Sequence, residues 1–225
     1  MSAGVATGVV PNDREVSGTP ATLPGMSSQP VSGAQPLVGL SHPLTVADYL
    51  KIGEVEPGYT ELVEGRLLLS PSPKRRHSRA CSKLWVRLDE QVPPEFEVVA
   101  DIDVNIQLGP TDDPGTVRRP DLIVAPRAVA KRVDDEGEVY HAADVLLAVE
   151  VISPGSRRED LQVKRAEYAD AGIPHYWIVD LDGPVSLIAC HLAGEFGYVD
   201  GGAATGVFRT TEPFPVEIDL PGLID

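Results

Sequence analysis

The chain has 225 residues, enough for one good-sized core, and a formal net charge of -15 that repels nucleic-acid phosphate on average, so any nucleic-acid site must be a local one. No apolar stretch approaches the roughly 18 residues needed to cross a bilayer, and Met1 to Val10 carries neither a basic start nor a signal-peptide core, so the expectation is no membrane partner and no export. The two cysteines, Cys81 and Cys190, read as ordinary small buried thiols, fitting a reducing, cytoplasmic setting.

Residues 1 to 43 are rich in Gly, Ser, Pro, Ala, Thr and Val and lack aromatic side chains. Such a segment buries too little apolar surface to offset its ordering entropy, so residues 1–43 are expected to be a disordered tail or an upstream-start artefact, and residues 44–225 a single domain. The fold begins at Leu44 to Leu50, a short helix with Thr45 as its N-cap. Tyr59 to Val63 and Arg66 to Ser70 flank Glu64-Gly65, the signature of a tight hairpin, closed by Pro71 and Pro73. From His77 onward His77, Ala80, Cys81, Leu84 and Leu88 recur at helical spacing, predicting an amphipathic helix to about Val92. Between Lys74 and Arg87 its other face carries six basic residues and no acid, among them Arg75, Arg76 and Arg79.

Glu97 to Leu108 alternates as a strand, Thr111 to Thr116 is a turn-rich loop, and Pro120 to Ala125 is a buried strand with Asp121 at its mouth. Arg127 to Ala143 reads as a connecting segment. Then comes Val145 to Ile152, apolar except for Glu150. A buried carboxylate is costly unless paired or metal-bound, so this residue stands out. A helix from about Arg157 to Ala171 follows, stopped by Gly172, then the strand Tyr176 to Asp180. Leu187 to His191, Tyr198-Val199, Gly206 to Thr210 and Val216 to Leu220 are expected as antiparallel additions to the sheet.

On the helix after Glu150, Asp160, Leu161, Lys164, Tyr168 and Ala171 fall on one side, so Lys164 points where the apolar residues point. Two acids on neighbouring strands with a nearby lysine suit a divalent cation and phosphodiester cleavage. Each residue also has a structural reading. Asp121 after a proline is common turn chemistry, Glu150 could pair with an arginine, and Lys164 could snorkel or pair with Asp160. Glu61 could be an exposed hairpin residue, His77 a satisfied core histidine and Ser153 a cap of the following turn.

Arg119-Pro120-Asp121, Glu150-Val151-Ile152-Ser153-Pro154, then Asp160, Lys164, Tyr168 and Gly172 to Asp180 resemble the Uma-two endonuclease family. That family is similar to the restriction-endonuclease-like, PD-(D/E)XK, nuclease superfamily. The resemblance spans roughly residues 44 to 220. It implies an α/β fold, a central mixed sheet flanked by helices with extra antiparallel strands, binding Mg²⁺ or Mn²⁺. It further implies an endonuclease acting on nucleic acid, chiefly DNA, as a homodimer if both strands are cut. Asp121 and Glu150 would be metal ligands, with Glu61 as a further carboxylate. The superfamily's usual lysine lies two residues after the second acid, where this chain has Ile152; Lys164 would take its place. His77, Ser153, Asp160 and Tyr168 are accessory candidates, and Arg75, Arg76, Arg79, Arg119 and Arg157 candidate phosphate contacts, with Arg118 and Arg158 adjacent. Two other readings stay open: a nuclease-like fold kept as a nucleic-acid-binding or interaction module, and an unrelated α/β enzyme with Glu150 as general base.

Overall fold

A computed structural model of the protein describes residues 35–36, 42–53, 59–70, 72–152 and 155–225, all within one unit, Val31–Asp225. A short strand β1 (Gln35–Pro36) precedes helix α1 (Val46–Ile52). The helix starts where it does because Thr45 and Asp48 form a reciprocal capping box, the Asp48 N–H donating to Thr45 Oγ1 at 3.1 Å. Strands β2 (Tyr59–Val63) and β3 (Arg66–Ser70) form the expected hairpin. Its turn needs two left-handed residues, Glu64 at φ 48° and Gly65 at φ 74°. A Cβ on Gly65 would also stand 2.9 Å from the Leu44 backbone nitrogen, which donates to the Gly65 carbonyl at 2.8 Å, so the turn and the start of the domain are packed backbone to backbone. Gln35–Pro36, which the sequence reading places in the tail, pairs with β3.

Helix α2 (Arg75–Asp89) buries Ala80, Leu84 and Leu88. Strand β4 (Phe96–Ala100) is shorter than the strand expected over Glu97 to Leu108. Asp101 takes φ 50°, turning the chain out of one sheet so that β5 (Val104–Asn105) joins another. Strands β6 (Val117–Arg118) and β7 (Leu122–Pro126) follow. The segment expected as a mere connection instead holds helix α3 (Arg127–Glu136), stopped by Gly137 in the left-handed region, and strand β8 (Tyr140–His141). Strand β9 (Leu147–Ile152) is buried at all six positions. The next helix opens with a wide π turn, Glu159–Val163, before α4 (Lys164–Asp170). Strands β10 (His175–Asp180), β11 (Ser186–Leu192), β12 (Tyr198–Thr205), β13 (Val207–Thr210) and β14 (Val216–Asp219) complete the fold.

The main sheet has the order β12-β11-β10-β9-β7-β4, with β9 and β10 parallel and its other pairs antiparallel. A second mixed sheet runs β1-β3-β2-β6-β5-β8. Only β11 and β12 extend the main sheet as expected; β13 and β14 pair with each other in a separate hairpin. One face of the main sheet packs Leu122, Val149 and Trp177 against Leu84 and Leu88 of α2, with Phe208 and Ile218 of the last hairpin. On the other face Ile123, Ala148, Ile152 and Ile178 meet Tyr168 of α4 and Val133. Fully burying one such aliphatic side chain stabilises by about 1.5–3 kcal/mol. An unpaired charge in the same layer would cancel more than one of these contributions, so the Glu150 side chain must find partners.

Candidate active site

Strands β7 and β9 run antiparallel with Leu122 opposite Val149. Continued by one residue, that register puts Asp121 opposite Glu150 at the end of the sheet. The Val151 N–H donates to Asp121 Oδ2 at 2.7 Å, fixing the first acid to the second acid's strand. On the α2 side, His77 Nε2 lies 3.2 Å from the same Oδ2. Asp121 therefore stands at the sheet edge between the two layers, with its side chain 15% exposed.

Glu150, 4% exposed, points to the α4 side. Its Oε1 accepts from Lys164 Nζ at 2.8 Å and from the Tyr168 hydroxyl at 2.9 Å. Lys164 Nζ also lies 3.4 Å from Glu61 Oε1 and 3.8 Å from Asp160 Oδ1. The π turn directly precedes Lys164, an irregularity frequent at functional sites. The lysine is thus neither an exposed snorkeller nor paired with Asp160 alone. Ile152, at the superfamily's usual lysine position, is buried in the apolar layer on Glu150's side of the sheet.

One ammonium is shared among three carboxylates, and the titration behaviour follows. Burial pushes the Glu150 carboxyl well above the usual carboxylate range, the Asp160 and Asp121 charges add to this, and Lys164 opposes it. Burial likewise raises Asp160, again against Lys164. Lys164 itself is penalised by burial, yet Glu150, Glu61 and Asp160 hold it protonated well above its ordinary value. The cluster has too little positive charge for its carboxylates. Its carboxylates are hard oxygen donors, the ligand type that hard divalent cations take.

Glu61 behaves differently. Burial alone would raise it, but Lys164 and Arg118 hold it below its ordinary value. Both its oxygens are engaged: Oε1 accepts from the Arg119 N–H at 3.0 Å and Oε2 from Arg118 NH1 at 3.1 Å. It is buried, which removes the exposed-hairpin reading.

The basic residues are less convergent than their sequence positions imply. Arg118 is 1% exposed and donates to Glu61, Glu159 and Glu167, so it faces inward, away from any phosphate. Arg119 pairs with Asp103 at 2.7 Å and lies over the Tyr59 ring. Arg79 donates to the Asp225 carbonyl. Arg76 donates to the Leu181 carbonyl and Arg157 pairs with Asp180 at 2.7 Å, and both approach Asp182, so these two meet just beyond β10. Arg75 and Arg158 are exposed. Ser153 lies outside the described residues.

Sequence reasoning missed Arg118 as the buried anchor of three glutamates, Glu61, Glu159 and Glu167, and it missed Cys81. The thiol lies 3.6 Å from His77 Nδ1, one helical turn along α2. That spacing was visible, but the same pattern also describes an apolar stripe.

Residues 46–215 match the Uma2 family model, whose description is "putative restriction endonuclease". The chain belongs to the Uma2 family. A crystal structure of a putative nuclease of family DUF820 from Anabaena variabilis superposes with a TM-score of 0.58 at 18% identity, covering 81% of this chain and 98% of that one. At that identity the likeness speaks for the fold, the restriction-endonuclease-like core that the sequence resemblance implies. No curated protein matches the chain. Among the described residues, no helix of this Uma2 protein is long and apolar enough to cross a membrane.

Proposed function

We propose that this Uma2 chain is a metal-dependent endonuclease hydrolysing phosphodiester bonds, with DNA as its substrate. The observation that carries the reading is the meeting of Asp121, held by the Val151 N–H at 2.7 Å beside Glu150, with Glu150 and its Lys164 partner at 2.8 Å. Asp121 and Glu150 would hold Mg²⁺ or Mn²⁺. Such an ion, when bound, lowers the pKa of a water and neutralises charge developing on phosphate. The chain's own groups divide the remaining work. Lys164 presents an ammonium beside the acids for the scissile phosphate or the attacking water. We assign Glu61 and Asp160 to holding that ammonium in place, and Tyr168 to fixing the Glu150 carboxylate. His77, bonded to Asp121, is suited to carry a proton. Arg75, Arg76 and Arg157 are the arginines best situated to receive a phosphate backbone. A symmetric dimer would serve cleavage of both strands, and the two free thiols fit a cytoplasmic location.

The inward pairing of Arg118 and Arg119 favours a second reading, a nucleic-acid-binding or interaction module without turnover. The two are separated by incubating purified protein with plasmid, single-stranded DNA and RNA in Mg²⁺ or Mn²⁺, beside Asp121→Asn and Glu150→Gln. Cleavage that a chelator and both substitutions abolish supports the nuclease. Absence of cleavage of every substrate by folded protein in both metals sinks it in favour of the module.

A further inference from the structure

We infer that His77, Cys81 and Asp121 form a site for a thiophilic, borderline divalent cation, for which Zn²⁺ is the natural occupant, distinct in ligand chemistry from the paired acids. The three residues come from two elements that pack on each other at the end of the main sheet. His77 and Cys81 lie one turn apart on α2, so both project from the same side of the helix. Asp121 enters from the start of β7.

His77 Nε2 is 3.2 Å from Asp121 Oδ2, Cys81 Sγ is 4.0 Å from that same nitrogen, and one ligand atom from each residue fits within 4.8 Å of the other two. Bonds of about 2.0–2.3 Å to Zn²⁺ at tetrahedral angles require ligand atoms roughly 3.3–3.8 Å apart. Sγ lies closer to His77 Nδ1, at 3.6 Å, than to Nε2, so the imidazole and the thiol must turn about their side-chain bonds as they close on the ion, bringing sulfur round to the nitrogen that faces Asp121.

The ligand set itself discriminates. One imidazole, one thiolate and one carboxylate leave a fourth position open, as in catalytic zinc sites, whereas Mg²⁺ avoids nitrogen and sulfur. Core packing explains why a small thiol sits at position 81. It does not explain why an imidazole and a carboxylate converge on it. The His77 and Asp121 side chains remain 16% and 15% exposed, so an ion can reach them from solvent. The surrounding charge favours a cation, since the acids Asp101 and Glu150 stand close to the thiol as well as Asp121. On the nuclease reading, Asp121 belongs to both ligand sets, so occupancy by Zn²⁺ would withdraw it from the Mg²⁺ pair and make the thiophilic ion an inhibitor.

The test is optical and independent of cleavage. Metal-free full-length protein is titrated with Co²⁺. The expected result is one ion per chain, with tetrahedral visible bands and a near-ultraviolet thiolate-to-cobalt band. Zn²⁺ should displace the ion; the same excess of Mg²⁺ should not. Cys81→Ser should remove the thiolate band, and His77→Gln should weaken binding by about 10-fold or more. Cys190→Ser should leave the spectrum unchanged, since that thiol is buried on β11. Circular dichroism of each variant verifies folding. Absence of a thiolate band in the parent, its survival in Cys81→Ser, or equal displacement by Mg²⁺ overturns the site. A chain that cuts no nucleic acid yet shows the Cys81-dependent band refutes the nuclease reading alone.

Discussion

Lys164 Nζ lies 2.8 Å from Glu150 Oε1, a contact between residues fourteen positions apart that joins helix α4 to the centre of the main sheet. The contact matters because neither charge is solvated. Removing one partner of a buried pair leaves the other uncompensated, at about 3–5 kcal/mol. Lys164→Met is therefore expected to lower unfolding free energy by about that amount and to abolish cleavage. Adding Glu150→Gln in the same chain should restore part of the stability and none of the activity. Urea unfolding of the four-member cycle measures this, and additive losses would show that the two side chains are energetically independent.

Arg118 is predicted to be the least replaceable arginine in the chain. Its guanidinium donates to Glu61, Glu159 and Glu167, and the planar fork reaches all three at once. Arg118→Lys keeps the charge but not the fork, and Arg118→Ala loses both. Denaturant titrations should place alanine about 3–5 kcal/mol below the parent, with lysine between them. If lysine matches the parent, the fork geometry contributes nothing.

Ile152 offers a positional test of the lysine. Ile152→Lys alone adds a second ammonium to an apolar layer and should cost at least about 3 kcal/mol. Combined with Lys164→Met, the new lysine would stand at the superfamily's usual position with Glu150 in need of a cation. The double variant should then cut plasmid better than Lys164→Met alone. Equal inactivity of the two would mean that the ammonium works only from α4.

Stability at acid pH should report the tie between α4 and β12. Arg165 donates to Asp200 at 2.6 Å and to the Tyr198 carbonyl at 3.1 Å. The Arg165 hydrogen bond, more than the small burial that opposes it, holds the Asp200 carboxyl below its ordinary value. A group depressed in the folded state stabilises above its unfolded pKa and stops doing so as pH falls through the folded one. Asp200→Asn should accordingly cost about 0.2–1 kcal/mol at pH 7 and nearly nothing once Asp200 is protonated well below pH 4. Thermal melts of both proteins across pH 2.5 to 7 would reveal whether the gap closes.

What could be read in advance was local. The Thr45 cap, the Glu64-Gly65 turn and the Gly172 stop each depend on a few adjacent residues, and Glu150 declared itself by standing alone among apolar neighbours. Helix α3 escaped notice because Val129, Ala130 and Val133 are only a narrow apolar stripe amid charges, next to Pro126. The bend at Asp101 left no trace, since no glycine marks its positive φ. The sequence offers Arg119 as a candidate phosphate contact with Arg118 adjacent to it. Alternation along a strand says that they face opposite ways, but not which way is inward. That depends on Glu61, Glu159 and Glu167, which lie 57, 41 and 49 positions away.

Glu150 is fixed within β9, and Asp121, one residue before β7, is pinned to that strand by the Val151 N–H, so the separation of the two acids rests on main-chain geometry. The companions of the pair are mounted elsewhere: a lysine on α4, an imidazole and a thiol on α2. A lineage can therefore exchange helix-borne partners, and with them metal preference or activity, while the spacing of the two carboxylates stays constant.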